Sequence, residues 1–84
     1  MYTLIISKSA EKSLSALPGK MYHRLLAAIQ SLADDPRPPG CKKLKGVENL
    51  YRLREGDYRV IYSVEDRVLR VIVVAVGNRK DVYE

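Results

Sequence analysis

The hydrophobic spacing of this chain changes once, and the change decides which folds are open to it. Between Ala10 and Ala33 apolar residues recur every three or four positions; after the cluster Asp34-Asp35-Pro36-Arg37-Pro38-Pro39-Gly40 they recur about every second. Ala10, Leu14 and Leu17 therefore mark one face of a short helix, capped by Ser7 or Ser9 and ended by Pro18-Gly19. Tyr22, Leu25, Leu26, Ile29, Leu32 and Ala33 mark a second helix, which the proline cluster stops by removing donors and forcing extended backbone. Ahead of both, the alternation of Tyr2, Leu4 and Ile6 with Thr3, Ile5 and Ser7 predicts a first strand of about six residues. Beyond Gly40 the pattern predicts strands at 50–54, 58–64 and 68–76, joined by hairpin turns at Glu55-Gly56-Asp57 and Glu65-Asp66-Arg67. The last of these is apolar almost throughout and belongs inside the sheet, with both faces covered. The expected class is α+β: an N-terminal strand, two packed helices, then an antiparallel β-meander covered by the helices on one face.

Size and composition narrow the function. At 84 residues the chain is expected to form a single domain over 1–84, because one core is all that such a length supports. Its longest apolar run, 71–76, is far short of the roughly 20 residues that a bilayer requires. No membrane partner is expected. One cysteine, Cys41, and one histidine, His23, supply neither a disulfide nor a set of soft metal ligands, so no metal or other cofactor is expected. The opening residues lack the pattern of a secretory signal, which makes a cytoplasmic location the expectation. Lysine and arginine number 15 against 10 acidic residues, and a formal charge of +5 on so small a surface favours a polyanionic partner.

Strand parity turns that general preference into a candidate site. Arg52 and Arg54 are two apart and project from one face, while Tyr51 and Leu53 project from the other. A two-residue loop at Glu55-Gly56 sets Arg52 opposite Arg59 and Tyr51 opposite Val60. Tyr51, Leu53, Tyr58, Val60, Tyr62 and Val64 then lie beneath the helices, and Arg52, Arg54 and Arg59 converge on the far side. Opposed like charges across a strand pair are destabilising by roughly 0.2–1 kcal/mol, so an anion belongs there, and a guanidinium fork matches phosphate oxygens in pairs. The plainer alternative is a solvated face whose long side chains splay into water. Downstream, Gly77 releases the chain from its last strand and brings Arg79 and Tyr83 to a rim. There tyrosine offers a ring to stack on a base and a phenol for proton transfer. His23 sits between Tyr22 and Arg24, remote in pattern from the arginines, and Cys41 follows the proline loop; neither is assigned a chemical role.

These residues resemble the RelE branch of the RelE/ParE superfamily of bacterial and archaeal toxin-antitoxin toxins. The likeness runs through the opening strand, SAEKSLSAL, SLADDP, KKLKGVENLYRLREGDYRVIY and VGNRKDVY. Its specific parts are the KLKG turn, the YRLR-x-GDYR-x-IY hairpin and the terminal R-x3-Y, in the family's order and spacing. The resemblance implies a RelE-like fold and an endoribonuclease (mRNA interferase) that cuts messenger RNA in the ribosomal A site, beside 16S rRNA. It also implies neutralisation by a cognate acidic antitoxin. Cleavage in the family needs no metal: the ribose 2′-hydroxyl attacks the neighbouring phosphate, leaving a 2′,3′-cyclic phosphate and a 5′-hydroxyl.

Carried over residue by residue, Arg52 and Arg54 match the family's two basic positions on the strand, and Arg59 its phosphate-holding arginine. Arg79 matches the arginine that stabilises charge or protonates the leaving 5′-oxygen, and Tyr83 the tyrosine that stacks on or orients the nucleotide. Lys42, Lys43 and Lys45 lie where contacts to RNA are expected. Better-known members carry lysine at one or both of the strand positions. An arginine, with a reference pKa of roughly 12.5 or above, is a scarce free base, which leaves two options: Tyr83 accepts the proton, or positioning and electrostatics supply most of the rate. The ParE branch, which shares the fold and poisons DNA gyrase by binding, is the alternative function.

Overall fold

The computed structural model describes residues 1–78, which form two helices packed on one face of a five-stranded sheet. Strand β1 (Thr3–Ile6) leads into helix α1 (Lys8–Ser15), whose N-cap is Ser7: its Oγ accepts from the Ala10 N–H at 3.1 Å. Pro18, at φ −55°, starts helix α2 (Gly19–Ser31). The predicted apolar stripes point inward, with Ala10 and Leu14 of α1, Leu25 and Ile29 of α2, and Leu32 just beyond all buried. Strand β2 (Lys42–Lys43) is a two-residue edge that alternation did not reveal, since both of its side chains are exposed lysines. Strands β3 (Leu50–Glu55), β4 (Tyr58–Glu65) and β5 (Arg70–Asn78) form the expected meander. Among the described residues no helix is long and apolar enough to cross a membrane.

The sheet order is β1-β5-β4-β3-β2, with β1 parallel to β5 and the other pairs antiparallel, so the sheet is mixed rather than a pure meander. The two helices carry the chain from one edge to the other, and the meander then walks back to β1. That return places β5 inside the sheet, between β1 and β4, as its nearly continuous apolar sequence required, but the cover expected on both faces is not complete: Val71, Val73 and Val76 are buried beneath the helices while Val74 is 37% exposed. A bulge interrupts its alternation. Ile61 faces Ala75 and Tyr62 faces Val73, leaving Val74 as the extra residue, so that Val73 and Val76 are both buried although three apart.

Tyr51, Leu53, Tyr58, Val60, Tyr62 and Val64 all pack in or against the core beneath the helices, as parity required. The register within the hairpin differs from the expected one. The loop is Gly56-Asp57, not Glu55-Gly56, so Glu55 faces Tyr58, Arg54 faces Arg59 and Arg52 faces Ile61. Gly56, with φ 61°, takes the first central position of a II′ turn, where the Cβ of any other residue would crowd the backbone carbonyl. A shift of two preserves every face while changing every partner. The second joint is not a tight hairpin turn either. Asp66–Val68 forms a single 3-10 turn, Leu69 closes it in the left-handed region at φ 50°, and β5 begins at Arg70.

The proline loop lies against this end of the sheet through polar contacts. Tyr62 Oη donates to the Pro36 carbonyl at 2.8 Å, and its ring stacks on Tyr51 at 5.8 Å between centroids. Arg37 donates from Nε to Tyr51 Oη at 3.0 Å and from Nη2 to Asp66 Oδ2 at 2.8 Å. Tyr2 Oη donates to Asp66 Oδ1 at 2.6 Å. The Arg37 hydrogen bond, followed by that of Tyr2, holds the Asp66 carboxyl below its usual range, whereas burial first of all pushes the Tyr62 phenol up.

Candidate functional site

On the face away from the helices, pairing assembles cations from three strands. Lys42 faces Arg52 across β2 and β3, and Arg54 faces Arg59 across β3 and β4. Arg52 and Arg54 are one pleat repeat apart on the same strand, roughly 7 Å, and directly opposed pairs approach to about 4.5–5.5 Å at Cα. The result is a block of four cations two residues deep. Gly77 faces Arg59 from β5. Arg79 and Tyr83, expected to complete the site, lie outside the described residues.

Burial divides the block. Arg52 is only 7% exposed, beside Ile61 at 5% on the same face, so its guanidinium is a fixed element of the surface rather than a solvated tail. Arg54 is exposed and Arg59 half-buried, and the Nε atoms of both Arg52 and Arg59 are shielded from water. Two clefts flank the pair rows. One of about 300 Å³ is lined by Arg54, Gly56, Tyr58 and Arg59; another of about 310 Å³ is lined by Lys42, Lys43, Leu44, Lys45 and Arg52. All three lysines singled out from sequence thus share a cleft with Arg52, while Arg54 and Arg59 share the other. Among the described residues no group of three or more His, Cys, Asp or Glu side chains is placed to hold a metal ion.

Ordered guanidinium groups in a shallow cationic cleft can bind a phosphodiester and stabilise charge that grows on it, without the reorganisation that water would need. Two other arginines, one of β5 and one of the proline loop, are matched to acids. Arg70 lies 2.7 Å from Glu65 and Arg37 2.8 Å from Asp66, so neither adds its charge to the block. Two features escaped sequence reading. The pairing of Lys42 with Arg52 has no signal in a two-residue strand, and the ion pair between Arg24 of α2 and Glu55 of β3, at 2.7 Å, spans elements whose packing alternation does not specify.

A family model described as the ParE toxin of type II toxin-antitoxin system, parDE, matches residues 4–83. Toxin RelE of Mycobacterium tuberculosis is 29% identical over 83 residues, covering 98% of this chain and 86% of that protein. Among solved structures, RelE in the archaeal RelE-RelB complex from Pyrococcus horikoshii OT3 superposes with a TM-score of 0.84 at 35% identity, covering 96% of this chain and 98% of that one. The isolated Escherichia coli RelE toxin superposes with a TM-score of 0.81 at 26% identity, covering 93% and 84%. The same strand, helix pair and mixed sheet recur in these relatives, and the chain belongs to the RelE/ParE superfamily of type II toxin-antitoxin toxins as a RelE-type member.

Proposed function

We propose that this chain is a ribosome-dependent messenger-RNA endonuclease whose substrate backbone crosses the face bearing Arg52, Arg54 and Arg59. The observation that carries the reading is the direct opposition of Arg54 and Arg59 beside a cleft, next to the buried Arg52. In the proposed reaction the ribose 2′-oxygen attacks phosphorus, the bond to the 5′-oxygen breaks, and the products are a 2′,3′-cyclic phosphate and a 5′-hydroxyl. Negative charge builds on the phosphorane, and fixed guanidinium groups stabilise it more in the transition state than in the ground state. Arg79 is assigned to the leaving oxygen and Tyr83 to the nucleotide ring, on the sequence resemblance alone. Lys42, Lys43 and Lys45 are assigned to the backbone of messenger or 16S ribosomal RNA, on the strength of their shared cleft with Arg52.

The Pyrococcus RelE was crystallised with RelB, and a cognate acidic antitoxin is accordingly the proposed partner here, drawn to a surface of formal charge +5. The family description naming ParE favours a second reading, a gyrase poison that acts by binding. Mapping 5′ ends of translated messages soon after induction separates the two. In-frame breaks within codons support the nuclease; DNA damage with intact transcripts supports the gyrase poison.

A further inference from the structure

The sheet has two edges, and they are finished differently. At one, β2 is two residues long and both are exposed lysines, a short charged edge that resists pairing with another strand. At the other, β1 reads Thr-Leu-Ile-Ile, without a lysine or a proline. Its odd positions face β5: the Thr3 and Ser7 N–H groups donate to the Leu69 and Val73 carbonyls at 2.7 and 2.9 Å. Leu4 and Ile6 alternate with them and turn N–H and C=O to the open side. Tyr2 donates outward to the Ala33 carbonyl at 2.7 Å, and α1 begins at Lys8, so the open stretch runs only from Leu4 to Ile6. Its side chains are apolar on both faces. Leu4 and Ile6 pack at the margin of the core, while Ile5 is 41% exposed on the other face, across from Ile72.

We propose that β1 pairs with β1 of a second copy of this chain, antiparallel about a two-fold axis at Ile5, joining the two five-stranded sheets into one. In that register Leu4 of each copy exchanges both N–H···O bonds with Ile6 of the other, which uses every open group of the edge. Ile5 meets its own copy across the axis as a non-hydrogen-bonded pair, roughly 4.5 Å apart at Cα. The ends fit by charge. The pairing lays the start of β1 in one copy beside the end of β1 in the other. Exposed Asp34 and Asp35 follow Ala33 at the start, and exposed Lys8 and Lys12 lie beyond Ser7 at the end. Each acidic end thus receives a basic one, twice over by symmetry. The arginines of β3 and β4 take no part, and the pairing stands whatever they bind.

The test is sedimentation velocity of the isolated chain at low salt, with a thermal melt on each variant. The paired edge is short and falls below the standard interface size, so a dissociation constant on the order of 10⁻⁵–10⁻⁴ M is expected. Ile5→Lys sets two ammonium groups against each other on the axis and is expected to leave the chain monomeric, with a midpoint within a few degrees of the parent because Ile5 lies outside the core. Lys8→Glu is expected to weaken association about tenfold, and the double variant Lys8→Glu/Asp34→Lys to restore it. Register is read by mild oxidation in a Cys41→Ser background. Ile5→Cys is expected to give a disulfide-linked dimer, and Thr3→Cys, whose two copies stand roughly 14 Å apart along the strands, is expected to give none. A parent that stays monomeric at about 500 μM, well above the expected constant, overturns the proposal and leaves the edge to a strand of another protein. A dimer that Ile5→Lys or Lys8→Glu leaves unweakened, or a cross-link through Thr3→Cys in place of Ile5→Cys, overturns it as well.

Discussion

The two ends of the sheet use arginine in opposite ways. Where β4 turns into β5, Arg37 and Arg70 each lie within 2.8 Å of a carboxylate, and tyrosine hydroxyls complete a network that binds the proline loop to the sheet. Where β3 turns into β4, Arg54 faces Arg59 across the strands, and Glu55, on the opposite face, pairs with Arg24 of α2. Matched charges fasten one end; like charges face one another at the other, where the proposed reading places an RNA phosphate. Even the turns differ. Each needs a positive φ, supplied by Gly56 at the cationic end and by the half-exposed Leu69 at the matched end.

Removing a charge should therefore cost function at one end and stability at the other. Arg59→Ala is expected to lower messenger cleavage by about 10²–10³-fold, the scale for losing one preorganised donor to a transition-state oxygen. Its thermal midpoint should stay within a few degrees, because the substitution also relieves the repulsion with Arg54. Cleavage assays in a translating extract, paired with melts, check both halves. Retained cleavage removes Arg59 from the site, and a large drop in midpoint makes it a structural residue instead.

At the matched end, Tyr62→Phe removes one buried hydroxyl. Tyr62 is wholly buried, and its hydroxyl is the donor to Pro36. The variant keeps the ring stacked on Tyr51 but leaves that carbonyl without its donor, at an expected cost of about 1–3 kcal/mol in denaturant unfolding. Cleavage measured well below the melting range should be unchanged. A loss of activity without a loss of stability would mean that the two ends are coupled and the contrast between them is false.

Leu69→Gly probes the other peculiarity of this end. A leucine at φ 50° pays roughly 1–2 kcal/mol for its conformation, and glycine returns part of that gain by loosening the unfolded chain, so a net stabilisation of about 0.5–1 kcal/mol is expected. A destabilised variant would show that the Leu69 side chain, 49% exposed, packs more usefully than its exposure indicates.

What the sequence revealed and what it hid follow the same division. Faces were legible, because parity along a strand depends only on counting, and the apolar set from Tyr51 to Val64 left one assignment for them. Partners were not. Placing the loop at Glu55-Gly56 instead of Gly56-Asp57 changes no face, so the apolar pattern is blind to it, yet it exchanges Arg54 for Arg52 as the residue opposite Arg59. The helix stripes and the Ser7 cap were readable for the same local reason. The parallel place of β1 beside β5, the Lys42 pairing and the ion pair of Arg24 with Glu55 all depend on contacts between distant segments, where side-chain period carries no information.

The smallest expected effect concerns acid. The Arg37 hydrogen bond, and then that of Tyr2, lower the Asp66 pKa in the folded protein relative to the unfolded chain. A depressed carboxylate binds fewer protons when folded, so its contribution is fully present above the unfolded value of about 3.9 and fades as pH falls through the folded one. Asp66→Asn should therefore show a shallower loss of stability below about pH 4 than the parent, and the two should differ by a nearly constant amount at neutral pH. Because the pair is exposed, both differences should be modest and should shrink further in high salt. Parallel stability curves for the two proteins through the acid range would mean that Asp66 is held by packing of the 3-10 turn and not by its charge, and the matched end would then owe less to electrostatics than its short ion pairs indicate.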